Sequence, residues 1–454
     1  MFTYNNLLSK FTIGASFVLA MLGLPELAQA QEKITIQQAI ERMLENNLTI
    51  KQGALNINKL SVDLQASKMA LIPSLNGVAQ GNVSFGRNQD QTTFVVTDQK
   101  LFQTNGSLQS SVDLFGGFIK LNQIKQNKIL LEAGNSNLDK IKNDLILQVV
   151  TSYFQIVFND DLLKASRQQL EVAQQTLSRE ETLLDAGNKT LADISQAKAQ
   201  VATAELNVTN AQNSLTISYL TLSQLMEMRQ EVANYTVIAP TIQDIVTAQK
   251  NFNIGEVYNT SLNTFPDIKL AQLNTLAAQR AISVARGSMM PRLALQGGIG
   301  TSYSTIIGAA IDQPSFADQI NQRFNQYVGL NLNIPIFNGL TARSNVKRAK
   351  IDYEDFKIRE QLAKNTLNKV IAQAIADLRA ADSRYRSNEN TFNAQKDAFN
   401  VIEQRYNVGL VNSLDYNTSR TNRNKAETDF IQAKYDLLFR SKVIDYYLGK
   451  PITF

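Results

Sequence analysis

The chain contains no cysteine, no histidine and no tryptophan among its 454 residues. These absences exclude zinc sites built on histidine or cysteine, thiol nucleophiles and every catalytic triad that needs a histidine base. Carboxylate chemistry remains possible, but the usual proton shuttle is missing. The composition therefore predicts a protein that is not an enzyme and that holds neither a metal nor a cofactor.

An excess of charge of one sign is also missing, because 45 basic and 40 acidic residues leave a formal net charge of +5. This balance does not support a partner made of nucleic acid. The short basic cluster within residues 343–350 is interpreted as a solvated helix face. Beyond the first 30 residues no run of about 18 apolar residues occurs, so no transmembrane helix is expected.

Residues 1–30 have the features of a secretory signal peptide. Lys10 precedes an apolar core that ends at Pro25, and residues 28–30 form a small-x-small cleavage site. A membrane anchor helix is the rival interpretation, but the proline ends the apolar run early. We therefore expect an exported mature chain, which without disulfides must be stabilised by packing or by assembly.

The stretch 117–186 contains no proline and carries a sustained heptad repeat. Its heptad positions are Leu131, Leu138 and Leu145, then, after a four-residue step, Val149, Ile156, Leu163, Leu170, Leu177 and Leu184. Such a pattern predicts coiled-coil-like packing that relaxes locally at the four-residue step. A helix of this extent would be about 105 Å long, which no ordinary globular core requires.

The heptad pattern recurs 222 residues later, so the chain contains an internal duplication. The equivalent positions are Tyr353, Glu360, Leu367, Ile371, Leu378, Tyr385, Phe392, Phe399 and Tyr406, and eight of these nine are apolar or aromatic. Gly187 and Asp193 have the counterparts Gly409 and Asp415 at the same offset.

The periodicity divides the mature chain into two repeats joined by an irregular equatorial connector at 230–263. The first repeat, 31–229, is predicted to contain helix 35–70, strands 74–86 and 106–115, and helices 117–186 and 190–228. The second repeat, 264–454, is predicted to contain helix 265–290, strands 292–303 and 326–336, and helices 339–408 and 411–448. Polar segments 87–105 and 305–326 are interpreted as loops.

The lengths of these elements indicate how they fit together. The summed length of the two shorter helices in a repeat is close to the length of its long helix. We therefore expect the shorter helices to lie end to end alongside the long one. Strands of about ten residues that are apolar on one face suit an outer-membrane barrel, but four strands cannot close one. Two chains would give eight strands and three would give twelve. A soluble four-stranded sheet covered by helices is the alternative, although rods this long exceed so small a sheet.

Two motifs carry a resemblance to the TolC-type outer-membrane efflux family across essentially the whole mature chain. The first is Leu71-Ile72-Pro73-Ser74-Leu75, repeated as Met289-Met290-Pro291-Arg292-Leu293. The second is the Gly-x5-Asp spacing in each repeat. The resemblance implies a mainly α fold with a small β part. It also implies a homotrimer that shares a 12-stranded outer-membrane β-barrel above a 12-helix periplasmic α-barrel.

The same resemblance places the turns at Gly187 and Gly409 at the periplasmic tip, where the family has its gate. It implies that Tyr406 holds Asp193 in the closed state. An arginine of the family pattern is replaced by Val411, so one contact that the resemblance would imply for the closed gate is missing.

The resemblance also implies an acidic ring at the entrance, formed here by Asp415. The second acidic position of the family is Thr418, so the entrance should be less negative than one with two acidic rings.

Capping and core packing remain alternative roles for these residues. Asp193 and Asp415 are also typical helix caps, and Tyr406 continues the heptad pattern and is suited to core packing.

These features predict a passive export duct in the cell outer membrane, in contact with its lipid and with a long periplasmic portion. Its expected partners are a periplasmic adaptor and an inner-membrane pump of the RND or ABC type. The alternative is an outer-membrane-anchored structural stalk or adhesin. A barrel enzyme is disfavoured because no base of suitable pKa is evident.

Overall fold

The computed structural model describes residues 32–89, 94, 96–228, 235–239, 252–308 and 314–450, so the predicted signal peptide lies outside the described residues. The strands are β1 (Glu32–Ile34), β2 (Ser74–Gln89), β3 (Val96–Gly116), β4 (Tyr235–Val237), β5 (Arg292–Ile307) and β6 (Asn325–Asn333). The helices are α1 (Ile36–Asn46), α2 (Leu48–Met69), α3 (Ile119–Asp185), α4 (Leu191–Leu225), α5 (Ile254–Thr264), α6 (Pro266–Gly287), α7 (Phe316–Gln322), α8 (Thr341–Asn407) and α9 (Ser413–Tyr447).

Helices α3 and α8 are the two long rods, with 67 residues each. The predicted spans 117–186 and 339–408 each begin two residues too early, because Gly117-Phe118 and Gly339-Leu340 adopt left-handed conformations before the first helical turn. Helices α2 and α4 both pack on α3, while α6 and α9 both pack between α3 and α8. Short helices thus run end to end beside each rod, as the lengths indicated.

The heptad residues of the rods form the centre of the molecule. Leu145, Val149, Ile156 and Leu163 of α3 are buried in one cluster with Leu378 of α8. None of the described helices combines the length and the apolar character needed to cross a membrane. The packing of the helical layer comes from the buried heptad residues of the rods.

A second layer is an antiparallel sheet with the strand order β2-β3-β5-β6. The register aligns Leu75 with Ser110, Ser110 with Gly297, and Gly297 with Val328. Cross-strand partners point to the same side of a sheet, so the predicted apolar positions share one face. Strands β2 and β6 form open edges, and the sheet of a single chain is not closed.

The hairpin of β2 and β3 is longer than the sequence predicted. The segment 87–105, interpreted as a loop, is largely strand, since pairing continues to Gln89 opposite Val96. Backbone hydrogen bonds support this extension without any apolar alternation, which is why the pattern missed it. A bulge between Asp113 and Phe115 also takes Leu114 out of the predicted alternation.

The second hairpin deviates from the prediction in three places. Strand β5 continues to Ile307 rather than ending at 303. Strand β6 ends at Asn333 rather than at 336, and Pro335 lacks the N–H that a continued ladder requires. The predicted loop 305–326 contains the short helix α7, which Ser315 caps by accepting a hydrogen bond from the Asp318 N–H at 3.2 Å. Local capping, rather than periodicity, defines this helix.

The predicted helix 35–70 is interrupted at Asn47, where the chain leaves the helical conformation with φ −59° and ψ 128°. The Asn47 side chain caps the next helix by accepting from the Thr49 N–H at 2.9 Å, and it donates to the Leu225 carbonyl at 3.0 Å. A contact 178 residues away in sequence thus overrides the local periodicity.

The connector 230–263 is not irregular throughout. Helix α5 occupies its last part, and β4 pairs in parallel with β1 at the amino-terminal end of the described chain. The helix predicted over 265–290 is α6, which has Pro266 in its first turn and ends at Gly287. Elements of three residues have too little sequence to show a period, so β1 and β4 could not be predicted.

Tyr153 of α3 attaches this small sheet to the rod. Its buried hydroxyl lies 3.0 Å from the Ile34 carbonyl and 2.8 Å from the Ile238 carbonyl, and it accepts from the Ile238 N–H at 2.9 Å. Burial raises the pKa of Tyr153 to about 12, so the phenol stays a donor at any physiological pH. One side chain thereby holds the equatorial connector against the long helix.

The junction between sheet and rods is a direct contact of two backbones. A Cβ atom on Gly287 would lie 2.4 Å from Cγ1 of Ile119 and 2.6 Å from the Gly117 carbonyl oxygen. We expect Gly287→Ala to cost about 1–3 kcal/mol of folding free energy through overpacking and to lower the yield of folded protein. Gly116→Ala is the matched control, because its Cβ would meet nothing within 4 Å. Equal yields of the two variants would contradict a tight junction.

Candidate functional site at the helix tips

The turns that follow the two rods lie side by side at the end of the molecule away from the four-stranded sheet. Gly187 and Gly409 take left-handed conformations with φ of 75° and 77°. In each turn the glycine N–H donates to the carbonyl three residues earlier, at 2.8 Å and 3.1 Å. The duplication therefore extends to the hydrogen bonds of the turn, and both glycines end a rod as left-handed C-terminal caps.

Asp193 forms a capping box with Thr190 at the start of α4. Its carboxylate accepts from the Thr190 hydroxyl at 2.8 Å and from the Thr190 N–H at 3.1 Å, and its own N–H donates to the Thr190 hydroxyl. These hydrogen bonds, with a smaller contribution from Ser413, hold the pKa of Asp193 below its ordinary value. The local capping role that the sequence allowed is thus present.

Asp415 has the equivalent place in α9 but a different environment. Its N–H donates to the Asn412 side chain at 2.8 Å, while its carboxylate is exposed and has no hydrogen bond or ion pair with any described residue. Val411 and Thr418 line the same surface depression. The second tip therefore presents one exposed carboxylate in a depression that Arg405 also lines.

Tyr406 is buried at the end of α8, where its ring stacks on Tyr416 of α9 with centroids 4.4 Å apart and planes 14° from parallel. Its hydroxyl accepts from the Lys189 ammonium at 2.9 Å and lies 3.4 Å from the Ser413 hydroxyl. Within the described part of one chain, Tyr406 does not bond Asp193 directly. Ser413 lies between the two residues, because its hydroxyl contacts both the Asp193 carboxylate and the Tyr406 hydroxyl. The direct partner of Asp193 is Thr190, and that of the Tyr406 hydroxyl is Lys189.

Sequence reasoning missed the residues that connect the two tips. Glu180 of α3 is only 2% exposed, and its Oε2 lies 3.3 Å from Nζ of Lys189. The ammonium also donates to the Ser413 hydroxyl at 2.7 Å. Arg420 of α9 is buried as well and donates to the Thr176 hydroxyl of α3 at 3.2 Å.

A signal for one of these residues was available in the duplication. Lys189 follows Gly187 by two residues, at the position that corresponds to Val411 after Gly409. Comparing the two copies at the turn would have located a cation in the first copy. The burial of Glu180 has no such signal, because an acidic residue on a long helix is usually solvated.

The contacts at the tips join the ends of helices to one another. The described residues contain no group of three or more acidic side chains that could hold a metal ion. Stacked tyrosines, a buried ion pair and two caps instead link the ends of α3, α4, α8 and α9. Such an arrangement holds helix ends together, and its loss would let them separate.

Comparison with known proteins identifies the family. The sequence profile of the outer membrane efflux protein family matches residues 39–226 and 257–450, one segment in each repeat. The toxin and drug export protein A of Aggregatibacter actinomycetemcomitans is 21% identical over 411 residues, covering 89% of this chain and 83% of its own. The outer membrane protein TolC of Escherichia coli K12 is 22% identical over 446 residues, covering 95% and 85%.

The fold agrees with this assignment. The outer membrane protein VceC of Vibrio cholerae superposes with a TM-score of 0.76 at 16% identity, covering 91% of this chain and 96% of that one. Both segments of the family profile coincide with the duplication that the heptads indicated. The chain therefore belongs to the outer membrane efflux protein family.

Proposed function

We propose that the protein is the outer-membrane export duct of a tripartite system and conducts substrates from the periplasm to the exterior without performing catalysis. The observation that carries this proposal is the pair of open edges in a single chain. Among the described strands, β2 and β6 each pair on one side only, and unpaired strand edges are not tolerated in lipid. Copies of the chain must therefore complete the wall for one another.

The helical layer has unpartnered flanks at the same two sides. Helix α2 exposes an apolar residue at every seventh position, and these are Leu48, Leu55, Val62 and Met69, each more than half exposed. The opposite side of α2 packs on α3, where Leu60 fills the space beside Gly134. On the other flank, α8 exposes Ile351 and Ile358. An exposed heptad seam is suited to a neighbouring helix.

These flanks support a ring in which α8 and β6 of one subunit meet α2 and β2 of the next. Three copies, the number that the family resemblance implies, supply twelve strands and twelve helix positions. The sheet face with Leu75 and Val328, exposed by 73% and 82%, would contact lipid. The opposite face, with Asn76 and Gln109, would line a water-filled interior.

The system needs partners that provide energy, because the duct itself is passive. Rods of 67 residues reach about 100 Å from the barrel, a length suited to crossing the periplasm. At their tips the duct would receive a periplasmic adaptor and an inner-membrane pump of the RND or ABC type. The name of the Aggregatibacter relative refers to toxin and drug export, and we propose a cargo of that general kind here.

The gate of this duct would be the cluster at the helix tips. Closure would depend on the stack of Tyr406 on Tyr416, on the cap at Asp193, and on the turns at Gly187 and Gly409. Asp415 would place one carboxylate per subunit at the entrance, where Val411 and Thr418 add no charge and Arg405 lines the same depression. Opening would require these packed helix ends to part.

The cap at Asp193 gives the gate a defined response to acid. A carboxylate with a lowered pKa contributes its stabilisation above about pH 4 and loses it as the pH falls through the folded-state pKa. Channel conductance should therefore stay unchanged between pH 7 and pH 5 and rise only below about pH 4. Asp193→Asn should remove that acid step. An increase between pH 7 and pH 5 that Asp193→Asn abolishes would contradict this assignment.

Reconstitution into planar lipid bilayers tests the proposed function. Purified protein should give discrete conductance steps, and their absence under all conditions would overturn the duct. Protease added to intact cells supplies the complementary test. A duct should be cut only in the connections between β2 and β3 and between β5 and β6, whereas an outward stalk would lose α3 and α8.

A further inference from the structure

Lys189 lies in the turn between α3 and α4, at the tip of the first hairpin. It follows the left-handed Gly187 by two residues, and its side chain is only 17% exposed. Its ammonium makes one ion pair and two hydrogen bonds. Nζ lies 3.3 Å from the Glu180 carboxylate, 2.9 Å from the Tyr406 hydroxyl and 2.7 Å from the Ser413 hydroxyl.

These partners belong to three helices. Glu180 lies on α3, Tyr406 on α8 and Ser413 on α9, so a single ammonium joins both hairpins of one subunit. The ammonium also lies 4.6 Å from the centroid of the Tyr406 ring, within the range of a cation–π contact. Separating the α3–α4 tip from the α8–α9 tip must break at least two of these bonds.

Glu180 makes this arrangement costly to disrupt. Its side chain is 3% exposed, and within the described residues its Oε2 has no hydrogen bond and no ionic partner besides Lys189. Withdrawal of the lysine would leave a buried carboxylate without compensation, which is among the most destabilising changes available to a folded protein. Glu180 therefore fixes the ammonium in the place from which it reaches Tyr406 and Ser413.

The duplication shows that this cation is specific to one copy. The equivalent position in the second turn is Val411, the equivalent of Glu180 is Ile402, and the equivalent of Tyr406 is Leu184. The two turns share their backbone hydrogen bonds but not this network. One turn provides the cation, and the other hairpin provides the tyrosine and the serine.

We infer that Lys189, buried against Glu180, is an intra-subunit latch that holds the two helical hairpins of each protomer together and keeps the duct closed at its tip. The inference rests on the proposed gate. It gives the positive charge at the tip to Lys189 of the first turn, since the equivalent residue of the second turn is the uncharged Val411. Opening of the tip would then require the two hairpins of a subunit to part.

Bilayer conductance of Lys189→Met tests the latch. Methionine keeps the length of the side chain and removes the charge, so the resting conductance should rise at least several-fold. Lys198→Met is the matched control, because Lys198 is an exposed lysine of α4 and its loss should leave conductance unchanged. Both variants should have the oligomeric mass of the parent, which separates opening from failure to fold.

A double variant distinguishes a latch from the effect of a stranded carboxylate. Glu180→Gln combined with Lys189→Met removes that carboxylate but leaves Tyr406 and Ser413 without the ammonium, so its conductance should stay raised. A return to the parent value would contradict the latch. Lys189→Arg, which retains the charge, should remain closed. If Lys189→Met conducts like the parent while Tyr406→Ala opens the channel, the latch is wrong and the duct stands. If the parent protein forms no channel at all, the proposed function fails instead.

Discussion

Replacing Leu55 and Val62 by aspartate should convert the assembly into separate chains. Both side chains lie on the exposed heptad seam of α2, which the proposed ring buries against α8 of the next subunit. Each subunit contact would then bury two carboxylates without partners, at a cost of about 3–5 kcal/mol for each charge. Size-exclusion chromatography with light scattering in mild detergent should show the loss of the oligomer.

The same helix provides a control with equal added charge. Asn56→Asp combined with Ser61→Asp places two carboxylates on the flanks of α2, away from both the seam and the side that packs on α3. This variant should assemble as the parent does. If the seam variant keeps its full oligomeric mass, α2 does not lie at the subunit contact, and the proposed ring is wrong.

Tyr406→Ala should open the channel at its tip. The substitution removes a buried ring that stacks on Tyr416 and the hydroxyl that Lys189 and Ser413 contact. Loss of a buried aromatic side chain costs about 3–5 kcal/mol. If most of that cost falls on the closed state, the ratio of open to closed channels rises by about 100-fold or more. Planar-bilayer recordings and uptake of a large antibiotic by intact cells measure the change.

Tyr406→Phe separates the two contributions of this side chain. Phenylalanine keeps the stack on Tyr416 and loses only the hydroxyl, so its effect should be intermediate. Adding Asp193→Ala removes the α4 cap and should increase conductance further. Conductance of Tyr406→Ala equal to that of the parent would show that Tyr406 only fills the core of the hairpin.

The duplication and the long helices could be predicted because heptads are a strong and repeated signal. Leu145, Val149 and Ile156 form the buried seam of α3 that their spacing indicated. The break at Asn47 could not be predicted, since it depends on a hydrogen bond to Leu225 from a distant helix. Strands β1 and β4 could not be predicted either, because their pairing is non-local and each is only three residues long.

The duplication predicted that Gly187 and Gly409 end the two rods at equivalent turns, and the structure has these turns there. The gate role of the site stays a prediction, and its connections could not be predicted. The hydrogen-bond partners of Tyr406 depend on how the two hairpins pack against each other. Local sequence periodicity does not predict that packing. Lys189 and Glu180 come together there because tertiary packing buries an ion pair between elements that sequence reading treated separately.

We propose that one chain cannot close its own sheet and that neighbouring copies complete it. The mass of the particle purified in mild detergent is the decisive measurement. We expect three chains per particle, with the amides of β2 and β6 as protected from hydrogen exchange as those of β3 and β5. A stable monomer with rapidly exchanging β2 and β6 edges would contradict it.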